Sequence, residues 1–101
     1  MTEIKPCLAF INATPEEQTA KIMEEVSEVY EALKAYNKNP ESTEKFGQLV
    51  EEIVDVQVAM ETFLAILGLD EEGRDAVRAK IYIKNLERGY YDRRKPDDNA
   101  E

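Results

Sequence analysis

The 101-residue sequence has no histidine and a single cysteine, Cys7. Without histidine the chain cannot build a zinc finger of the Cys/His type, a histidine-based catalytic site or the Glu-x-x-His di-iron pattern, and one cysteine forms no internal disulfide. We expect Cys7 to be a small packed apolar residue. The chemistry that remains is that of carboxylate, amide and cationic side chains.

Long apolar runs and a glycine-rich phosphate loop are also missing from the sequence. No stretch approaches the roughly 20 apolar residues of a membrane span, and the N-terminus lacks a signal-peptide pattern, so we expect a cytoplasmic protein without a membrane partner. Acidic residues outnumber basic ones by 22 to 13, and the net charge of −9 argues against binding to nucleic acid. A nucleotide that arrives with Mg²⁺ remains compatible, because the metal neutralises both partners.

Capping signals predict three helices and therefore an all-α fold. The expected N-cap residues are Thr14, Ser42 or Thr43, and Asp70, with Pro15 at the first helical position after Thr14. The expected ends lie near Tyr36, at Leu67 before Gly68, and near Tyr91. We expect a short bundle of two long antiparallel core helices and a third C-terminal helix. Residues 14–91 form this domain, residues 1–13 form an N-terminal arm that packs, and residues 92–101 form a polar, charged tail.

The second helix is apolar nearly all round in its C-terminal half. Such a helix is usually buried on every side, and in so short a chain we expect a second subunit to supply part of the cover. The bundle would then be completed by oligomerisation, as a homodimer or a homotetramer. The alternative is that the arm and the third helix cover it without a partner.

Two acidic clusters, Glu24-Glu25-Val26-Ser27-Glu28 and Glu51-Glu52-Ile53-Val54-Asp55, lie on the first and second helices. Each borders an apolar row at the same angular offset; the rows are Ile22, Val26, Val29 and Leu33, and Leu49, Ile53, Val56, Met60 and Leu67. Antiparallel packing through these rows would bring four carboxylates to the edge of the interface, whereas acids such as Glu61 look like ordinary solvated charge.

Carboxylates gathered beside an apolar seam repel one another, and some take up protons unless a cation joins them. Ligand sets made only of oxygen suit Mg²⁺, with Mn²⁺ as the alternative. The competing interpretation is that both clusters are solvated surface charge, which is common on helices.

The spacing Glu25-x-x-Glu28 followed by Glu52-x-x-Asp55 resembles the pattern of the all-α nucleoside triphosphate pyrophosphohydrolases, and the chain looks most like their short, MazG-like members. Gln18 and Lys21 lead into the first cluster as in similar proteins. The turn at residues 67–72 and the basic stretch Lys84-Asn85-Leu86-Glu87-Arg88 extend the resemblance, which covers residues 15–91.

The resemblance implies Mg²⁺-dependent hydrolysis of an NTP or dNTP to the monophosphate and pyrophosphate, in nucleotide-pool housekeeping. The implied metal ligands are Glu25, Glu28, Glu52 and Asp55, with Glu25 or Glu28 orienting the attacking water. Lys84 and Arg88, then Lys80 and Lys21, are candidates to contact the triphosphate, because their charges suit phosphate oxygens; the alternative for the third-helix bases is a solvated face. Asn85 would bind sugar, base or phosphate by analogy.

Two other functions remain open. One is that of phosphoribosyl-ATP pyrophosphohydrolase, from the same superfamily, although the stretch from Lys84 to Arg88 looks less like that branch. The other is a non-enzymatic helical module that dimerises through its apolar second helix. Metal dependence separates the enzymes from the module.

Overall fold

A computed structural model describes residues 3–93 of the chain, and within them it contains helices and no strand. A single 3₁₀ turn, Leu8–Phe10, precedes three α-helices: α1 (Pro15–Lys38), α2 (Thr43–Ile66) and α3 (Glu71–Glu87). The all-α prediction is confirmed. Most of the expected charged tail, from residue 94 onward, lies outside the described residues.

Each helix begins with the side-chain cap that the sequence predicts. Thr14 and Glu17 form a reciprocal capping box: the Glu17 backbone N–H donates to Thr14 Oγ1 (3.0 Å) and the Thr14 N–H donates to Glu17 Oε1 (2.9 Å). Ser42, rather than Thr43, caps α2. Asp70 caps α3 by accepting a hydrogen bond from the Gly73 N–H. These bonds satisfy backbone donors that the first turn of a helix leaves unpaired.

The ends of the helices agree less well with the predictions. Gly68 follows α2 with a φ of +97°, as expected for a residue just beyond a helix end. The third helix stops at Glu87 rather than near Tyr91. Gly89 is the reason, since it takes a φ of +74° and turns the chain out of the helix. α1 continues to Lys38, two residues beyond the predicted end.

The chain divides into two compact units, one up to Gly68 and one from Leu69. The first unit contains the N-terminal arm and an antiparallel hairpin of α1 and α2. Gln18, near the start of α1, donates a hydrogen bond to the Ala59 carbonyl near the end of α2. At the other end of the hairpin the rings of Tyr36 and Phe46 lie 5.8 Å apart.

The seam of this hairpin is rotated relative to the predicted one. Its buried and half-buried residues are Gln18, Ile22, Glu25 and Val29 on α1, and Leu49, Glu52, Val56 and Ala59 on α2. The predicted rows were wrong in part, because Val26, Ile53 and Met60 are each more than 40% exposed. The polar Gln18 can occupy the seam because its amide is hydrogen-bonded there, and the small Ala59 lets the helices approach.

Burial elsewhere departs from the sequence-based expectations at three places. Glu61, expected to be solvated, is only 4% exposed. Leu67, expected on the buried row of α2, is exposed. In the second unit, the helical spacing of Ala79, Tyr82, Ile83, Leu86 and Tyr90 predicts a packing face of α3. Tyr82 is nevertheless exposed, and its ring stacks on that of Tyr91 at 5.3 Å between centroids. Within residues 3–93, no helix combines the length and the apolar character needed to cross a membrane.

Candidate metal centre

The hairpin seam brings acids from both helices together. Glu25 on α1 and Glu52 and Asp55 on α2 each offer one carboxylate oxygen, and these three oxygens lie within 4.8 Å of one another. Glu52 and Asp55 are three residues apart on one helix and therefore project from neighbouring positions on one face. Glu25 and Glu52 are half-buried within the seam itself, not beside it as their spacing predicts.

Two carboxylate oxygens of this cluster are shielded from solvent and have no hydrogen-bond partner among residues 3–93. Glu25 Oε1 and Glu52 Oε1 are buried and accept no hydrogen bond within the part of the chain that the structure describes. The other Glu25 oxygen, Oε2, has a long ion pair with Lys21 Nζ at 3.9 Å. Because an unpaired buried carboxylate oxygen is costly, this arrangement favours binding of either a proton or a cation.

The raised pKa values of Glu25 and Glu52 also favour binding of a proton or a cation. Burial, followed by the neighbouring Glu28 charge, raises the pKa of Glu25, and the Lys21 ammonium opposes this shift. Burial also raises the pKa of Glu52, followed by repulsion from Glu28 and Asp55. Repulsion among acids raises their pKa because ionising one makes ionising the next less favourable.

Glu28, the fourth predicted ligand, lies at the solvent-exposed edge of the cluster. Its charge acts on both Glu25 and Glu52, and a hydrogen bond between the Glu28 and Glu52 carboxyl groups contributes to the raised pKa of Glu52. Such a bond requires a proton on one of the two groups. All four predicted acids therefore lie close enough to interact.

This donor set fits a hard divalent cation. It consists only of carboxylate oxygens, and Mg²⁺ takes oxygen ligands at about 2.1 Å, so that opposite ligands lie about 4.2 Å apart. Three ligands of one octahedral ion include adjacent pairs, which lie about 3.0 Å apart, so carboxylate oxygens that now lie within 4.8 Å of one another would have to move closer to share an ion. The remaining coordination positions would go to water or to substrate oxygens.

A cleft of about 200 Å³ adjoins the cluster. Glu25 and Asp55 form the wall that it shares with the acids, and the N-terminal arm forms another wall through Cys7 and Phe10. The Cys7 backbone N–H donates to Thr62 Oγ1 at 2.9 Å, which ties the arm to the end of α2. Lys21 also lines the cleft, with its ammonium 5.4 Å from the centre of the Phe10 ring.

The remaining predicted substrate ligands are in the second compact unit. Lys80, Lys84 and Arg88 are exposed. The Asn85 amide donates to the Tyr91 hydroxyl at 3.3 Å, and Arg88 lies over the Tyr90 ring. That these side chains reach the triphosphate stays a prediction.

Sequence reasoning missed the cleft and misjudged Cys7, which is exposed rather than packed. One feature of the sequence indicates that a polar side chain, Gln18, lies in the seam beside the cleft. Gln18 precedes Glu25 by seven residues, two turns earlier on the same face of α1, so a seam that contains Glu25 also contains Gln18. A buried glutamine there needs hydrogen-bond partners.

Comparison of the chain with protein-family models, with curated proteins and with solved structures finds no match. Arguments about function therefore rest on the residues and their geometry.

Proposed function

We propose that this protein is a Mg²⁺-dependent nucleoside triphosphate pyrophosphohydrolase that cleaves an NTP or dNTP to the monophosphate and pyrophosphate, in cytoplasmic nucleotide-pool housekeeping. The observation that carries the proposal is the acid cluster of the hairpin, where two buried carboxylate oxygens have no hydrogen-bond partner among the residues that the structure describes. A solvated acidic surface would not bury such atoms, whereas a cation site would.

In this proposal Glu25 and Glu52 would hold the metal from the seam, and the exposed Asp55 and Glu28 would complete the ligand set from its edge. When bound, Mg²⁺ neutralises charge on the phosphate oxygens and lowers the pKa of a coordinated water. Glu25 or Glu28 orients that water by accepting its hydrogen bond. Lys21, between the acids and the cleft, is placed to bind a phosphate oxygen of a substrate that spans both.

The deciding experiment incubates the purified protein with Mg²⁺ and a panel of NTPs, dNTPs and phosphoribosyl-ATP, and identifies the products. We expect pyrophosphate and a monophosphate. Orthophosphate and a diphosphate would contradict the assigned bond, and cleavage confined to phosphoribosyl-ATP would favour that alternative activity.

Variants test the acids directly. Glu52→Ala and Asp55→Ala should each lower kcat/KM by at least about 100-fold, as expected when a transition-state charge stabiliser is lost. Glu51→Ala is the matched control, because Glu51 is an exposed acid on the same helix and is not one of the three acids whose oxygens converge. Circular dichroism should show unchanged helical content in all three. Wild-type turnover in either cluster variant would contradict the metal assignment.

We also propose that the protein is a homo-oligomer, a dimer or a tetramer, built from the apolar side of the hairpin. Exposed apolar residues form a stripe on each helix: Met23, Val26, Tyr30 and Leu33, and Phe46, Val50, Ile53 and Met60. Most of these apolar residues directly follow a seam residue in the sequence, and one residue corresponds to a rotation of about 100° around the helix axis. Because the two helices are antiparallel, this rotation places both stripes on the same side of the hairpin. Glu28 and Asp55 turn the other way, so a second copy on the stripes leaves the acids open.

A charge placed on this apolar side should separate the subunits. We expect Tyr30→Lys and Val50→Lys to give monomers by light scattering at micromolar concentration, since a charge is costly to bury in an apolar interface. Ser27→Lys adds the same charge at an exposed position outside the stripes and should leave the assembly intact. A wild-type monomer would contradict this proposal. An assembly with no metal response would instead favour the non-enzymatic dimerisation module.

A further inference from the structure

The cleft contains one buried polar side chain that makes a single hydrogen bond among residues 3–93. Gln18 lines the cleft and is 2% exposed. Its Nε2 donates to the Ala59 carbonyl oxygen at 3.0 Å. A carbonyl only accepts, so this bond fixes the orientation of the amide and leaves Oε1 as an acceptor. No hydrogen bond to that oxygen is found among residues 3–93.

The cleft is also lined by the Glu25 and Asp55 carboxylates of the acid cluster, and its other polar side chains, Thr62 and Lys21, have partners among residues 3–93. Thr62 Oγ1 accepts from the Cys7 N–H at 2.9 Å and donates to the Val58 carbonyl at 2.8 Å. Lys21 pairs with Glu25. Gln18 Oε1 is therefore the uncharged acceptor of the cleft that has no partner among residues 3–93, and a ligand group that pairs with it must carry an N–H or O–H donor.

The shape and lining of the cleft restrict the ligand further. At about 200 Å³ the cleft is smaller than the roughly 300–1,000 Å³ of pockets that enclose whole drug-sized ligands. It is suited to one planar ring system with the rest of the molecule outside. Phe10, half exposed, supplies an aromatic surface against which such a ring can stack, and Val58 and Ala59 add apolar lining.

We propose that this cleft binds the base of the nucleotide, with Gln18 Oε1 accepting a hydrogen bond from a base N–H and the Phe10 ring packing against the base. The proposal rests on the proposed function for the identity of the ligand. It also assigns the N-terminal arm a role as the outer wall of the base site. Because Glu25 and Asp55 line the same cleft, a base held there has its phosphates beside the acids.

Cys7 offers a test that does not depend on hydrolysis. It is the only cysteine, it is exposed, and it lines the cleft. We expect at least one of the nucleoside monophosphates, at millimolar concentration without metal, to slow the reaction of Cys7 with a thiol reagent severalfold. Ribose 5-phosphate, which lacks the base, should give no protection. Absence of protection by every nucleotide would overturn the base site.

The hydrogen bond is tested from the ligand side and the protein side. A base analogue with its N–H donor removed or methylated should bind about 10- to 100-fold more weakly, because Gln18 Oε1 would be left unpaired. Gln18→Met keeps the length of the side chain and should bind the parent and the analogue equally. Phe10→Ala should weaken binding of both, whereas Leu8→Ala, in the same turn but outside the cleft, should not. Equal binding of parent and analogue by the wild type would overturn the role of Gln18.

The experiments can contradict the base-site proposal without contradicting the proposed hydrolysis, and the reverse. Pyrophosphate release without nucleotide protection of Cys7 would leave the enzyme standing and remove the base site. Protection that depends on Gln18, without pyrophosphate release from any triphosphate, would leave the base site and remove the proposed reaction.

Discussion

Mg²⁺ should stabilise the fold, because the acid cluster of Glu25, Glu52 and Asp55 exists only when α1 and α2 are packed together. A ligand that binds only the folded state at a hundredfold excess over its dissociation constant contributes about 2.7 kcal/mol to the free energy of unfolding. For a folding unit of about 60–100 residues each kcal/mol raises Tm by about 4–8 °C. We therefore expect Mg²⁺ to raise Tm by about 11–22 °C in a thermal melt.

The double variant Glu25→Gln, Glu52→Gln isolates the cause. It removes the two charges whose oxygens are buried without partners, so metal-free Tm should rise while the Mg²⁺ response is lost. Glu51→Gln removes a charge from an exposed position and should keep the response. NaCl at matched ionic strength measures screening of the net charge of −9. Equal shifts with Mg²⁺ and NaCl, unchanged in the double variant, would refute the metal centre.

Three further predictions concern the pH dependence of Tm, the cap of α1 and the basic residues of α3. Because burial raises the pKa of Glu25 and of Glu52 above their ordinary values in the folded state, protonation of these groups favours the folded state. Metal-free Tm should therefore gain a stabilising contribution as the pH falls through these raised pKa values, and the double glutamine variant should lack this contribution. Thr14→Ala removes the capping box and should cost about 1 kcal/mol in denaturant unfolding, whereas Thr19→Ala, at an exposed position in the second turn of α1, should cost less. Lys84→Ala and Arg88→Ala should raise KM for the nucleotide without changing the Mg²⁺ dependence of Tm; unchanged kinetics in both would indicate a solvated face.

Sequence-based prediction succeeded where the determining interactions are local. The starts of the helices at Thr14, Ser42 and Asp70 depend on side chains that bond to backbone groups three residues away, and such signals are readable in any sequence. The C-terminal end of α3 was misplaced because Gly89 is tolerated within a helical pattern but here adopts a positive φ.

The rotation of the seam was not predictable from periodicity, because that method assigns the most apolar row to the interior. In this hairpin the interior row includes Glu25 and Glu52, while the apolar Val26 and Ile53 beside them are exposed. Which row is buried depends on non-local contacts, such as the bond from Gln18 to the Ala59 carbonyl across 41 residues of sequence. The four acids could be selected from their spacing, but the partial burial of Glu25 and Glu52 could not be predicted.

The arm that walls the cleft lies outside the helices that carry the acids, and a hydrogen bond from the Cys7 N–H to Thr62 holds it to the end of α2. Under the base-site proposal, the residues that select the base lie partly in the arm, whereas the acids that act on the phosphates lie on α1 and α2. Substitutions or length changes in residues 3–13 can reshape the space beside Phe10 while the backbone that positions Glu25 and Glu52 stays unchanged. Substrate preference can therefore diverge between descendants of this sequence without a compensating change among the acids.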